Sequence, residues 1–346
     1  MATNKSWNGQ TGALEVASAY SDSIKGKTAL VTGTSIGGIG DAIVRALAHG
    51  GASTIVLTGR SDDKLSAYYE AVSKDYPNTK FRPLKLDLNS LVGTQKSAEE
   101  ILDDASIPQI DILITNAGFN TFAPDKRYTA EGIESHFGSN HLAHFHFVNT
   151  LLPKLQAAAK KNAPGQTRVV VLSSAAQKTS PIRFSDINLD KKHVDLPKEE
   201  QPDYLIHTMM KMPIPEAYEA SIAYGQSKTA NTLHALQLNK LYNKDGIYAF
   251  SNHPGIVAST GVMVDVMPKL TDEMKEAFAS LGEPKTIDQG AATTIVAALD
   301  PGLKPENGVY LEDAQVGQAP EWAVDPVAAE KLWKLSEDLV KEKVGA

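Results

Sequence analysis

Short β-branched apolar runs alternate along the chain with longer segments whose apolar residues recur at helical spacing, a pattern that yields a parallel sheet covered by helices on both faces. KTALVT (27–32) reads as the first strand, and after a Gly-rich turn Ile43, Ala46 and Leu47 share one helical stripe that Gly50 and Gly51 end. STIVLTG closes a second strand at Gly59, and FRPLKLDL (81–88), IDILITNAG (110–118), TRVVVLSS (167–174) and GIYAFSNHPG (246–255) follow, with NGVYLED near 307 as an edge candidate. Each is short and mostly apolar, as a strand buried on both faces is. Thr286 and Gln289 form a capping-box pattern before an alanine-rich run, and Asp325-Pro326 opens a last helix with Leu332, Leu335 and Leu339 on one stripe.

The expected fold is therefore α/β: a Rossmann-type doubly wound parallel sheet flanked by helices, forming a single domain over 25–346 behind an N-terminal extension, 1–24. One segment breaks the rhythm. Residues 183–220 are far longer than an ordinary strand-to-helix connection and read either as a substrate lid or as a disordered loop. No repeat or low-complexity tract points to a solenoid.

Composition narrows the function. The 346 residues are 42% hydrophobic and 22% charged with a net charge of -7, and no Lys/Arg cluster stands out, so nucleic acid and anionic membrane are not expected partners. With no cysteine, disulfides, thiolate metal sites and a cysteine nucleophile are excluded. No apolar run approaches the roughly 20 residues of a membrane span, and the opening residues lack the apolar core of a signal peptide, so a cytoplasmic location is expected. Asn4-Lys5-Ser6 matches the glycosylation triplet, which without a secretory signal is a chance match.

The chemistry begins after the first strand. TGTSIGGIG (32–40) precedes a helix, the context in which Gly33, Gly38 and Gly40 let backbone N–H groups, including those of Ser35 and Ile39, approach a pyrophosphate at a helix N-terminus. The end of the second strand carries Gly59-Arg60-Ser61 in place of the acid that would hold ribose hydroxyls, and Arg60 suits a 2′-phosphate, so NADP(H) is the expected cofactor. Tyr224 and Lys228 lie four residues apart on a helix that continues through Leu233 and Leu236, a phenol next to an ammonium that would lower its pKa and fit it for proton transfer. Tyr76 and Lys80 share that interval, but Pro77 and Asn78 make a helix between them improbable.

The Gly-rich turn, the Tyr224–Lys228 pair and the strand-end motifs together resemble the short-chain dehydrogenase/reductase family over about residues 25–315, and the insertion with RFSDIN (183–188) resembles its retinol dehydrogenase and WW-domain oxidoreductase branch. The family's usual turn is one residue shorter, which leaves open which of Thr34, Ser35 and Ile36 meets phosphate. The resemblance implies an NADP-dependent enzyme that interconverts a carbonyl and a secondary alcohol. By the match, Ser174 steadies the substrate oxygen, with Ser173 in reserve, and Asn140 holds a water beside Lys228. Asp87 and Leu88 face the adenine, Asn116, Ala117 and Gly118 line the fourth strand end, and Pro254, Gly255, Val257 and Ser259 pack on the nicotinamide, Thr260 being able to replace Ser259. Met209, Met210, Met212, Tyr204, Pro213, Phe119 and Phe122 either contact a bulky apolar small-molecule substrate or pack the loop on the sheet. His141, His144 and His146 lack the ligand set of a zinc site, so no metal is expected. A homo-oligomer is compatible with this pattern. The rival readings are a non-redox dehydratase, isomerase or cyclase, and a catalytically idle NADP(H)-responsive binding protein.

Overall fold

The computed structural model describes residues 2–121, 125–209, 211–257, 271–279 and 283–345. Among these residues eight strands form one sheet: β1 (Thr28–Val31), β2 (Thr54–Gly59), β3 (Lys80–Lys85), β4 (Ile112–Thr115), β5 (Thr167–Leu172), β6 (Ile247–Asn252), β7 (Tyr310–Glu312) and β8 (Gln315–Val316). Their order is β3-β2-β1-β4-β5-β6-β7-β8, parallel through β7, with β8 antiparallel at the edge. The chain runs outward from β1 to β3 and returns to β4 beside β1, which opens a crevice at the carboxyl ends of those two strands.

The inner strands are mostly apolar because both faces are covered, whereas β3 at the sheet edge keeps Lys80 and Lys85 exposed. Val31, Ile55, Ile114 and Val170 point into one core with the helices Ala13–Ala19, Ile39–His49 and Ile287–Leu299, while Leu30, Val56, Leu113 and Val171 point into the other with Leu91–Asp103, Ala143–Thr150 and Ala220–Tyr242. Thr286 and Gln289 make the anticipated capping box, and Asp325 caps the helix Pro326–Val344 through Val327 N. Arg168 is buried under the sheet and donates to the carbonyls of Gly165, Ala297 and Asp300, so a fixed cation closes the C-terminal end of Ile287–Leu299.

Three features depart from the pattern read off the chain. β7 and β8 form a hairpin whose two turn residues, Asp313 (φ 50°) and Ala314 (φ 59°), are left-handed, a turn that Asn-Gly would signal and Asp-Ala does not. Residues 2–24 pack into the main core, where Trp7, Ala13, Val16, Ala17 and Ile24 are buried and Trp7 meets Tyr20 edge-on. The first part of the insertion is bonded to the body: fully buried Arg183 pairs with Asp186 and donates to Lys191 O at 2.9 Å, and Arg183 N donates to Gln226 Oε1 at 2.9 Å. Farther along, His207 Nε2 lies 2.9 Å from Glu219 Oε2.

Candidate active site

The Gly-rich turn is held from the side so that part of its backbone stays open. Thr58 takes the N–H of Gly33 on its hydroxyl (3.0 Å), and its carbonyl accepts the N–H of Thr34 (2.8 Å) and the Thr34 hydroxyl (3.1 Å). Gly37 N donates to Asp41 Oδ2 and Gly38 N to Ser35 O, both at 3.0 Å. Among the described residues, the N–H groups of Ser35, Ile36, Ile39 and Gly40 meet no acceptor, which leaves four donors at a helix N-terminus. The buried Thr34 hydroxyl is spent inside the protein, whereas Ser35 is exposed and Ile36 is 65% exposed. Of the three residues left open for the phosphate, the bonding of the turn leaves the N–H groups of Ser35 and Ile36 without an acceptor and spends that of Thr34 on Thr58 O.

Two glycines need to be glycine. Gly33 has φ 72°, and a Cβ there would sit 2.7 Å from Ala117 Cα; a Cβ on Gly40 would collide with Gly33 O and stand 2.8 Å from Asn116 Nδ2. The cradle is therefore tight between turn, helix and the Asn116-Ala117-Gly118 segment. Asn116 braces it by donating to Thr32 O (2.9 Å) and Gly33 O (3.0 Å), and Gly118 is exposed.

At the end of β2, Arg60 is exposed and has no carboxylate partner among the described residues. Asp87 accepts the N–H of Asn89 at 3.1 Å, and Leu88 is half-buried at the rim of the core.

The catalytic candidates converge at the ends of β4 and β5. Asn140 is fully buried in a π-helical turn, Phe137–Leu142, and its side chain clamps Phe119 by accepting from Phe119 N and donating to Phe119 O, both at 3.0 Å. A Cβ on Gly118 would lie 3.3 Å from Asn140 Oδ1 and 3.4 Å from Lys228 Nζ, so the two side chains flank this glycine. Lys228 Nζ donates to Leu172 O at 3.1 Å and sits 5.4 Å from the Tyr224 ring centre. Ser173 Oγ donates to Lys228 O at 2.7 Å, whereas Ser174 Oγ accepts Ala176 N at 3.2 Å and lies near enough to the Tyr224 phenol to lower its pKa.

Burial governs the protonation of this pair. It pushes the Tyr224 phenol up to about 12, against the smaller opposing pull of the Ser174 hydrogen bond. It draws the Lys228 ammonium down to about 8. The expected lowering of the phenol by Lys228 is therefore not the state of the ligand-free protein: desolvation of the phenolate is the largest influence, and the phenol keeps its proton.

Of the loop after β6, Pro254 and Gly255 are half-buried, Val257 is buried, and Gly255 has φ 82° with Lys285 closing over it. Ser259 and Thr260 lie outside the described residues, as do Met210 and Phe122. Met209 is 49% exposed and Met212 half-buried, while Tyr204 bonds His193 Nδ1 at 2.6 Å.

The three helix histidines go to different partners. His144 takes a buried role that spacing did not suggest: Nδ1 lies 3.1 Å from Asn140 O, and Nε2 lies 3.0 Å from Thr32 Oγ1. Since the carbonyl only accepts, Nδ1 carries the hydrogen and Thr32 donates to Nε2, while Ala117 N donates to Thr32 Oγ1 at 3.0 Å. This chain joins β1, the β4 end and the Asn140 turn. His141 Nε2 lies 3.0 Å from Ser336 Oγ, and His146 makes no side-chain hydrogen bond through Nε2. Among the described residues no group of three or more His, Cys, Asp or Glu could hold a metal, and no helix is long and apolar enough to cross a membrane.

Residues 27–185 match the family model described as short chain dehydrogenase. The chain is 31% identical to short-chain dehydrogenase TIC 32 A, chloroplastic, of Brassica napus over 99% of this chain and 98% of that one. It is 32% identical to retinol dehydrogenase 12 of Mus musculus over 92% of this chain and 87% of that one. A Pseudomonas aeruginosa RhlG/NADP active-site complex has the same fold, with a TM-score of 0.58 at 23% identity over 85% of this chain and 94% of that one. With the sheet order, the glycine cradle and the convergent Tyr224, Lys228 and Asn140, these likenesses make the chain a member of the short-chain dehydrogenase family, an oxidoreductase acting on the alcohol–carbonyl couple.

Proposed function

We propose that this protein is an NADP(H)-dependent oxidoreductase that interconverts a carbonyl and a secondary alcohol on a bulky small molecule. The observation that carries the reading is the Tyr224 side chain with Lys228 Nζ 5.4 Å from its ring centre and Ser174 close by, at a sheet whose Gly-rich turn keeps four N–H donors without an acceptor among the described residues.

The residues fit a phosphorylated dinucleotide. Ser35, Ile36, Ile39 and Gly40 offer donors to a pyrophosphate, and the collision a Cβ at Gly40 would cause marks a close backbone approach. Arg60, exposed and without a carboxylate partner, supplies the fork that a 2′-phosphate takes and an acid there would repel. Asp87 and Leu88 form the adenine side, and Pro254, Gly255, Val257 and Ser259 the nicotinamide side. When bound, the cofactor supplies the hydride for reduction or accepts it for oxidation.

The chain's own groups do the proton chemistry. A phenol held near 12 is a reservoir of one proton, and Tyr224 Oη gives it to the oxygen of the substrate as negative charge develops there. Ser174 donates to that same oxygen. Lys228 stabilises the phenolate that is left, and Asn140 sets the position of a water through which the proton is replaced from solvent. Oxidation uses the same groups in reverse. On the insertion, Leu205 (61% exposed), Met209 (49%) and Ile214 (51%) offer apolar surface for the rest of the substrate.

The test is loss of NADPH absorbance against a panel of ketones and aldehydes, with product analysis and with NADH in parallel. Turnover to the alcohol is expected, favouring NADPH, and Arg60→Ala should weaken NADPH by about tenfold or more while leaving NADH nearly unchanged, the loss of one charge-assisted contact. Equal losses for both cofactors would overturn the assignment of NADP(H), and products formed without nicotinamide consumption would overturn the redox reading.

A further inference from the structure

The segment leading into the π-helical turn carries a buried acid–imidazole pair for which the proton chemistry above has no use. Glu134 and His136 are both fully buried. Glu134 Oε1 lies 2.8 Å from His136 Nδ1 and accepts His136 N at 3.1 Å, and Oε2 accepts Phe137 N at 2.9 Å. A carboxylate that takes two backbone N–H groups has no hydrogen to give, so Nδ1 is the donor to Oε1, and in the singly protonated imidazole Nε2 is a bare acceptor. No protein group among the described residues reaches that nitrogen.

The ring is fixed from two sides. Phe119 stacks on it at 4.8 Å with 18° between planes, and Tyr224 meets it edge-on at 6.1 Å and 72°. Phe119 is itself clamped by Asn140, so the imidazole is locked to the catalytic turn. The Tyr218 hydroxyl is also buried without a hydrogen-bond partner among the described residues, and burial first, then the Glu134 carboxylate, raises its pKa. Unpartnered imidazole nitrogens also occur at His141, His146, His193, His207, His234 and His253, and of these His141 and His234 meet edge-on, with Phe145 against both and Trp333 against His234. Among the described residues His136 is the one imidazole in ring contact with the proton donor.

A buried acceptor costs stability until it is satisfied, and a site with such an acceptor discriminates strongly for ligands that satisfy it. We infer that His136 is a specificity-determining residue: its Nε2, oriented by Glu134 and Phe119, accepts a hydrogen bond from a hydroxyl or N–H of the substrate. This rests on the oxidoreductase reading and sharpens it. The preferred substrates are carbonyl compounds that carry a hydrogen-bond donor within a few bonds of the reacting carbon.

Matched ketones test it: 2-hydroxyacetophenone with acetophenone, and 4-hydroxy-2-butanone with 2-butanone. For each, kcat/KM with NADPH and Kd for the NADP-bound protein by calorimetry are measured on the wild type, His136→Phe and His136→Gln. The wild type should favour the hydroxylated member of at least one pair by about tenfold or more, the scale of one hydrogen bond to a buried group. His136→Phe keeps the stacking on Phe119 and should reach parity by losing affinity for that member alone, whereas His136→Gln, with an amide oxygen as acceptor, should retain part of the preference. Wild-type parity in both pairs overturns the inference without any variant. So does a preference that survives His136→Phe, or an equal loss on both members, the mark of a purely structural role. Absence of turnover with every ketone would strike the redox reading, while the Kd ratios would still decide the role of His136.

Discussion

At the residue scale, the site surrounds two groups with protein, Lys228 buried and Tyr224 half-buried. Desolvation disfavours the charged form of each, so it raises a phenol and lowers an ammonium, and both effects are present in the ligand-free protein. Lys228 falls from 10.5 to about 8, so the folded protein holds its ammonium below about 8 and gives up that proton as the pH rises through this value. Between about 8 and 10.5 the unfolded chain binds the extra proton, so this group makes the fold more stable with rising pH in that window. Function runs the other way. The rate of carbonyl reduction should fall as pH rises through about 8, and Lys228→Met should show a low rate without that step. A wild-type profile flat from pH 7 to 9 would contradict the lowered ammonium.

At the scale of elements, the insertion is the part whose structure departs furthest from a simple connection. It is anchored at its start to the helix that carries Tyr224, through Arg183 N to Gln226 and through Gln226 Nε2 to Ile187 O at 3.1 Å. Arg183→Met removes the cation from a buried pair and leaves Asp186 uncompensated, a change that costs about 3 kcal/mol. Proteolysis should then cut first within 183–220 while cofactor affinity holds, read by cleavage mapping beside NADPH titration. Cleavage spread evenly over the chain would show that Arg183 holds the body and not the insertion. Strands β1 to β7 were readable because apolar runs bounded by turn residues have few alternatives in an α/β chain. β8 was not, since the left-handed turn at Asp313 and Ala314 lacks the residues that usually signal it. The π-helical turn around Asn140 was equally hidden, being set by tertiary bonds from Thr32 through His144. The pairing of Glu134 with His136 was unreadable for a similar reason: two residues apart on a regular helix they would not face each other.

At the scale of the whole molecule, the sheet order brings distant segments to one crevice. β1 supplies the turn, β2 places Arg60, the β4 end places Gly118 against Asn140 and Lys228, and β5 ends in Ser174. Residues 2–24, read from the chain as an extension, close the opposite face: Ala13, Val16 and Ala17 have the i, i+3, i+4 spacing of a buried stripe, and Thr3 and Asp300 bond the segment to the end of Ile287–Leu299. The candidate site was legible as a set because its members fall at strand ends and on one helix in the order a switch-point crevice needs. Its orientation was not: only the fold shows that Ser173 is spent on Lys228 O, which leaves Ser174 as the serine beside the phenol. All of this geometry converges on one proton, that of Tyr224 Oη. The most direct test is Tyr224→Phe, measured as single-turnover carbonyl reduction beside NADPH binding. Turnover should fall by about 100-fold or more with NADPH affinity unchanged, since acid–base help of this kind contributes on that order. Near-normal turnover in that variant would contradict the assignment of the proton to Tyr224.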